Sequence, residues 1–172
     1  MRVWGGDSLW LKSGSNWDWG IGGINLADYV LKSDGTVEPP PGLAPLIEPT
    51  DRKVIMTVGD FPRWVMPEGY SKGELMAPKD WGLFEKLFEA FAKQNPDLKS
   101  FCPYNEPDAH WRGSQEDFVK FHQVIAAGVK KGNPAMKVTG PGNYSIRMDD
   151  FKKSAALGLL VGNYRGARRA VA

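Results

Sequence analysis

The chain has 172 residues, 42% of them hydrophobic, enough for one core within a single domain. Its 22 Lys and Arg against 20 Asp and Glu leave a formal charge of +2, and the basic residues are scattered outside the C-terminus, which excludes an electrostatic footprint for nucleic acid. The opening MRVWGGDSLW lacks the apolar core of a signal peptide, and no apolar run is long enough to cross a bilayer, so the expectation is a soluble chain with neither membrane nor nucleic acid as partner.

In chain order, Arg2–Trp4 reads as a short strand entering a long loop, for which GGDS and SGSNWDWGIGG supply the turn residues. INLADYVLK, residues 24–32, reads as a short helix, SDGTVEPPPG breaks regular structure, and LAPLIEP reads as a helical turn. KVIMTVG, residues 53–59, is a nearly continuous apolar, β-branched run ended by Gly59, the pattern of a strand buried on both faces. Pro67, Gly69 and Gly73 keep the next segment as loop.

A helix is predicted from Pro78 or Lys79 to about Gln94, because Trp81, Phe84, Leu87, Phe88 and Phe91 recur at a three-and-four spacing that lines one face. KSFCPY then reads as a strand delivering Asn105-Glu106-Pro107. Cys102, the single cysteine, cannot form an intrachain disulfide and fits a small buried hydrophobe within that strand. A second helix is predicted after Ser114, whose hydroxyl can cap the first free amides, and it carries Phe118, Phe121, Val124, Ile125 and Val129 until Gly132 and Pro134 stop it. MKVTG reads as a strand, PGNYS as a loop and DDFKKSAALGLL as a third helix. This alternation predicts an α/β fold with parallel strands and right-handed crossovers over residues 1–160, with residues 161–172 as a basic C-terminal tail.

Loops that follow parallel strands gather on one face, where ligands bind. Residues just past the predicted strands are Asp7, then Asp60 with Trp64, then Asn105 with Glu106, then Asn143 with Tyr144. Acids, amides and aromatics on one rim are the types that glycoside cleavage needs: a proton donor, partners for ring hydroxyls and flat stacking faces. Trp10, Trp17, Trp19, Trp64 and Trp111 all fall in polar, glycine-rich stretches and suit sugar faces for the same reason.

Other chemistries fit less well. His110 and His122 are the only histidines, and their twelve-residue gap, with one of them inside a predicted helix, is unlike a zinc site, so no metal or other cofactor is expected. His110 instead fits a sugar contact. GPGNYS lacks the lysine of a phosphate loop, GGDS and GIGG lack the strand-to-helix setting of a dinucleotide fingerprint, and Ser8 and Ser145 have no paired histidine.

The segment YNEPDAHW, at the end of a strand and preceded by KVIMTVGDFPRW and an amphipathic helix, resembles the fourth-strand signature of clan A glycoside hydrolases. Those enzymes are retaining (β/α)8, or TIM, barrels, and the following helix with KVTGPG is similar to the xylosidase, iduronidase and endoglycanase-like families. The resemblance implies hydrolysis of β-linked oligosaccharides with Glu106 as general acid/base, held protonated by partial burial. It further implies that Asn105 bonds the sugar 2-hydroxyl, that Trp64, Trp111 and Tyr144 bind the sugar, and that Arg2 supports the carboxylates.

Only strands two to five of such a barrel are accounted for, and the nucleophile expected after strand seven has no counterpart in this chain. The expectation is therefore a half TIM barrel whose open edges a two-fold homodimer completes. The alternative is a non-catalytic carbohydrate-binding or structural half-barrel in which Glu106 is vestigial.

Overall fold

In the computed structural model, residues 17–18, 23–43, 56–104, 107–139 and 148–156 are described. The elements run β1 (Trp17–Asp18), β2 (Gly23–Asn25), β3 (Val30–Leu31), β4 (Val37–Glu38), β5 (Met56–Asp60), β6 (Leu75–Met76), α1 (Trp81–Gln94), β7 (Ser100–Tyr104), α2 (Pro107–His110), β8 (Trp111–Arg112), α3 (Gln115–Gly132), β9 (Lys137–Val138) and α4 (Met148–Ala156). The fold is mixed α/β with a small, mostly parallel sheet.

The main sheet has the order β1-β2-β5-β7-β9. β2, β5, β7 and β9 are parallel neighbours, and β1 is added antiparallel to β2 through Trp17↔Ile24 and Asp18↔Gly23. α1 carries the chain from β5 toward β7, and α3 carries it from β7 to β9, as parallel pairing requires. Two small pairs stand apart, the β3–β4 hairpin and the parallel contact of β6 with β8.

Both long helices follow their apolar period. On α1, Phe84, Leu87, Phe88 and Phe91 are fully buried, while Trp81 is half-buried with the Lys120 ammonium 4.6 Å from its ring centre. The helix starts at Trp81 rather than at Pro78 or Lys79, because the Asp80 carboxylate accepts from Leu83 N at 2.9 Å and so occupies the cap position. On α3, Ser114 Oγ accepts from Asp117 N at 3.0 Å, the cap the sequence predicts. Phe118, Phe121, Ile125 and Val129 are buried and Val124 is half-buried.

α1 and α3 pack closely along Gly128 and Gly132, which face the Glu85 and Glu89 carbonyls. Phe61, just past β5, joins sheet to helices, with ring centres 5.6 Å from Phe84, 5.9 Å from Phe121 and 6.3 Å from both Phe88 and Tyr104.

Three expectations are corrected. Residues 24–32 form strand, turn and strand instead of a helix: Asn25 Oδ1 accepts from Ala27 N at 2.8 Å, which stabilises a turn in place of a helical one. Within SDGTV the chain does not simply break. Asp34 Oδ1 accepts from Thr36 N at 2.9 Å and Gly35 sits at φ 80°, closing the β3–β4 hairpin. Trp17 and Asp18, expected in a loop, pair with β2 as β1. The Arg2–Trp4 strand, the LAPLIEP turn apart from Leu43, residues 157–160 of the third helix and the 161–172 tail lie outside the described residues.

Candidate functional site

Parallel register brings the carboxyl ends of three strands together. Asn25 of β2 pairs with Asp60 of β5, and Val58 of β5 pairs with Tyr104 of β7. Leu26 N donates to Asp60 O at 3.0 Å, continuing the ladder to the edge. Sheet pairing alone therefore places an acid and a phenol at neighbouring strand ends.

The Asp60 carboxylate is held from two sides. Its Oδ1 accepts from Phe61 N at 2.9 Å and from the Tyr70 hydroxyl at 2.6 Å, and the same amide lies 3.3 Å from the Tyr70 oxygen. Burial, followed by the hydrogen bond to Asp60 and its negative charge, pushes the Tyr70 hydroxyl well above its ordinary range, so it remains a donor.

Tyr104 is 1% exposed, its ring stacks on Phe61 at an interplanar angle of 18°, and its hydroxyl has no hydrogen-bond partner among the described residues. Burial first, then the Asp60 charge, pushes this phenol up to about 12. The edge of His110, the last residue of α2, packs against the Tyr104 ring with centres 5.9 Å apart.

Two expected sugar-binding tryptophans are half-buried and tied to the scaffold. Trp64 Nε1 donates to Tyr29 O at 2.7 Å, linking the loop after β5 to the turn after β2. Trp111 belongs to β8, donates through Nε1 to Ser114 O at 2.9 Å, and sets its ring edgewise on Phe118 and Phe121 at 5.5 and 5.4 Å. Among the predicted site residues, the structure therefore groups Asp60 and His110 around Tyr104, while the indole N–H groups of Trp64 and Trp111 serve packing contacts. Arg2, Asn105, Glu106 and Tyr144, with Asp7 and Asn143, lie outside the described residues.

Tyr70 and Tyr104 were not singled out by the sequence. For Tyr104 the signal was its place directly before Asn105-Glu106, at the end of a strand. For Tyr70 there was none, since its partner is ten residues away across a loop without periodicity. Among the described residues, no group of three His, Cys, Asp or Glu could hold a metal ion, and no helix is long and apolar enough to cross a membrane.

No protein-family model and no curated protein matches the chain. A solved structure to which it is similar is a glucosidase from Croceicoccus marinus, at 19% sequence identity and a TM-score of 0.37. That similarity covers 52% of this chain, which spans only 19% of the glucosidase.

Proposed function

We propose that the chain is a clan A-like glycoside hydrolase acting on β-linked oligosaccharides, with Glu106 as general acid/base and Asn105 as the partner of the sugar 2-hydroxyl. The observation that carries this reading is the adjacency of β5 and β7 in the parallel sheet. Asp60 ends β5, and Asn105-Glu106 directly follows Tyr104, the last residue of β7. The carboxyl ends of parallel strands are where α/β enzymes collect their reacting groups.

In this reading Glu106 donates its proton to the glycosidic oxygen as the bond to the anomeric carbon breaks. A second carboxylate takes a proton from the attacking water. We assign that second role to Glu106 of the partner subunit, in a homodimer that pairs two half-barrels. Among the described residues the main sheet ends at β1 on one side and β9 on the other, so two edges offer such a contact. Carboxylates set further apart than the ~5.5 Å of retaining pairs leave room for that water and produce inversion.

The test is hydrolysis of a panel of aryl β-glycosides by the unaltered chain and by Glu106→Gln. Loss of turnover in the variant supports the assignment, and unchanged turnover refutes it. Sugar binding without any hydrolysis by either protein would instead favour the non-catalytic alternative. For the second carboxylate, product anomers followed by NMR should show inversion, and retention or a monomer in sedimentation would count against the paired arrangement.

A further inference from the structure

We propose that Tyr70 is a positioning residue of this site, whose hydroxyl locks the Asp60 carboxylate through Oδ1 so that Oδ2 is presented as an acceptor to a ring hydroxyl of the sugar. The inference rests on the sugar-site reading above and extends it to a residue that reading did not include.

The geometry separates the two carboxylate oxygens. Tyr70 O–H and Phe61 N–H both converge on Oδ1, at 2.6 and 2.9 Å. A carboxylate fixed by two donors on one oxygen keeps one orientation, leaving the lone pairs of the other for a third donor. Asp60 is itself only half-buried, whereas Tyr70, which holds it, is 3% exposed. The rigid partner is thus inside, and Asp60 is the more exposed of the two.

Tyr70 is in turn fixed independently of Asp60. Its N–H donates to Pro67 O at 3.2 Å in a turn that Gly69 permits at φ 83°. The Arg63 guanidinium lies 5.0 Å from its ring centre and also donates to its carbonyl. With ring and backbone held this way, the phenol oxygen is the one part of Tyr70 whose removal acts on Asp60.

A second observation points to a ligand. The Tyr104 hydroxyl, on the adjacent strand end and within the field of Asp60, is buried and has no hydrogen-bond partner among the described residues. An acceptor at Asp60 and a phenol donor at the end of the neighbouring strand match the chemistry of sugar hydroxyls, each of which both donates and accepts.

The experiment measures binding of β-linked tetrasaccharides built from glucose, xylose or galactose, by calorimetry. The full chain carries Glu106→Gln so that no ligand is consumed. Tyr70→Phe, Asp60→Asn and the double variant are compared on that background. Tyr70→Phe should weaken binding about tenfold, as expected for a lost hydrogen bond to a charged group. The double variant should bind no more weakly than Asp60→Asn alone, because Tyr70 acts through Asp60.

Unchanged affinity in Tyr70→Phe, or additive losses in the double variant, would overturn this inference while leaving the glycosidase reading in place. Failure of every tetrasaccharide to bind the parent would overturn both. If Tyr70→Phe does not fold, Asp60→Asn is tested alone against monodeoxy sugars. Loss confined to one deoxy position in the parent, and absent in Asp60→Asn, supports the presented acceptor, and equal loss at every position overturns it.

Discussion

Replacing Gly128 with alanine tests how the two long helices are held together. An ideal Cβ at this position would lie 2.3 Å from the Glu85 carbonyl oxygen, 3.0 Å from Phe88 Cβ and 3.2 Å from the Glu85 carbonyl carbon. The closest neighbour is helix backbone, which cannot rotate away, so α1 and α3 must separate by about 1 Å to regain ordinary contact.

A gap of that size forfeits roughly a quarter to a half of the dispersion energy across the interface. The interface is built from fully buried side chains, including Phe84, Phe88, Phe121 and Ile125. Overpacking of this kind costs about 1–3 kcal/mol, and the better helix propensity of alanine returns about 0.8–1 kcal/mol. The expected net loss is about 0–2 kcal/mol, or a fall in Tm of up to about 8 °C for a chain of this size.

Gly82→Ala on α1 is the control. Its Cβ would meet only Asp80 Oδ1 at 3.4 Å, so propensity alone should leave the protein equally or slightly more stable. Urea unfolding followed by circular dichroism reads both variants. Against Gly82→Ala, which gains the same propensity, Gly128→Ala should be less stable by the whole overpacking cost of about 1–3 kcal/mol. A Gly128→Ala midpoint at or above that of Gly82→Ala would refute the close-approach argument.

Three further outcomes follow from the same structure. His122 Nδ1 bonds to the Phe118 carbonyl at 2.8 Å, its Nε2 has no partner among the described residues, and burial pushes the imidazole from 6.5 down to about 4. The folded state thus favours neutral histidine, and its contribution is fully present above pH 6.5 and lost as pH falls to about 4. This amounts to roughly 3 kcal/mol at about 1.4 kcal/mol per pH unit, and His122→Phe should flatten that part of the urea-midpoint profile; an unaltered profile would contradict it. Ser114→Ala removes the α3 cap and should cost about 1 kcal/mol in the same assay, whereas no loss would mean that another group takes over the Asp117 amide. Tyr104→Phe deletes a buried hydroxyl that has no partner among the described residues and should leave stability unchanged or raise it by about 1 kcal/mol, while weakening sugar binding; a large fall in stability would reveal a hydrogen bond to that oxygen.

What could be read from the sequence follows the range of the interactions concerned. α1 and α3 were legible because periodicity and capping are local: Asp80 and Ser114 act within three residues, and the Phe84–Phe91 stripe needs only a helix to define its face. β5 and β7 were legible as apolar runs between breakers. Residues 24–32 misled because Leu26, Tyr29 and Val30 mimic helical spacing, and only the Asn25 side chain, bonding to Ala27 N, diverts the backbone into a turn. Asp34-Gly35 is a hairpin signal, and it needed the pairing of Val30 with Glu38 to become one.

The site divides along the same line. Asp60 was visible as an acid after a strand. The Tyr70 contact that fixes it depends on loop geometry with no sequence period, and the indole N–H bonds of Trp64 and Trp111 depend on where the chain folds back. His122, set aside as an unpromising metal ligand, is instead buried against Phe118 and Phe121.

The role of Glu106 as general acid is tested most directly by leaving-group dependence. The kcat/KM of Glu106→Gln is compared with that of the unaltered chain on two β-glycosides of one sugar, a dinitrophenyl glycoside and an unactivated disaccharide. Glu106 of the partner subunit is substituted too, so the variant loses both acid and base and should fall about 100-fold or more on both substrates. Dinitrophenolate departs without a proton and azide attacks without a base, so added azide should restore the dinitrophenyl glycoside alone. Restoration of both substrates or of neither, or an unimpaired variant, would contradict the assignment.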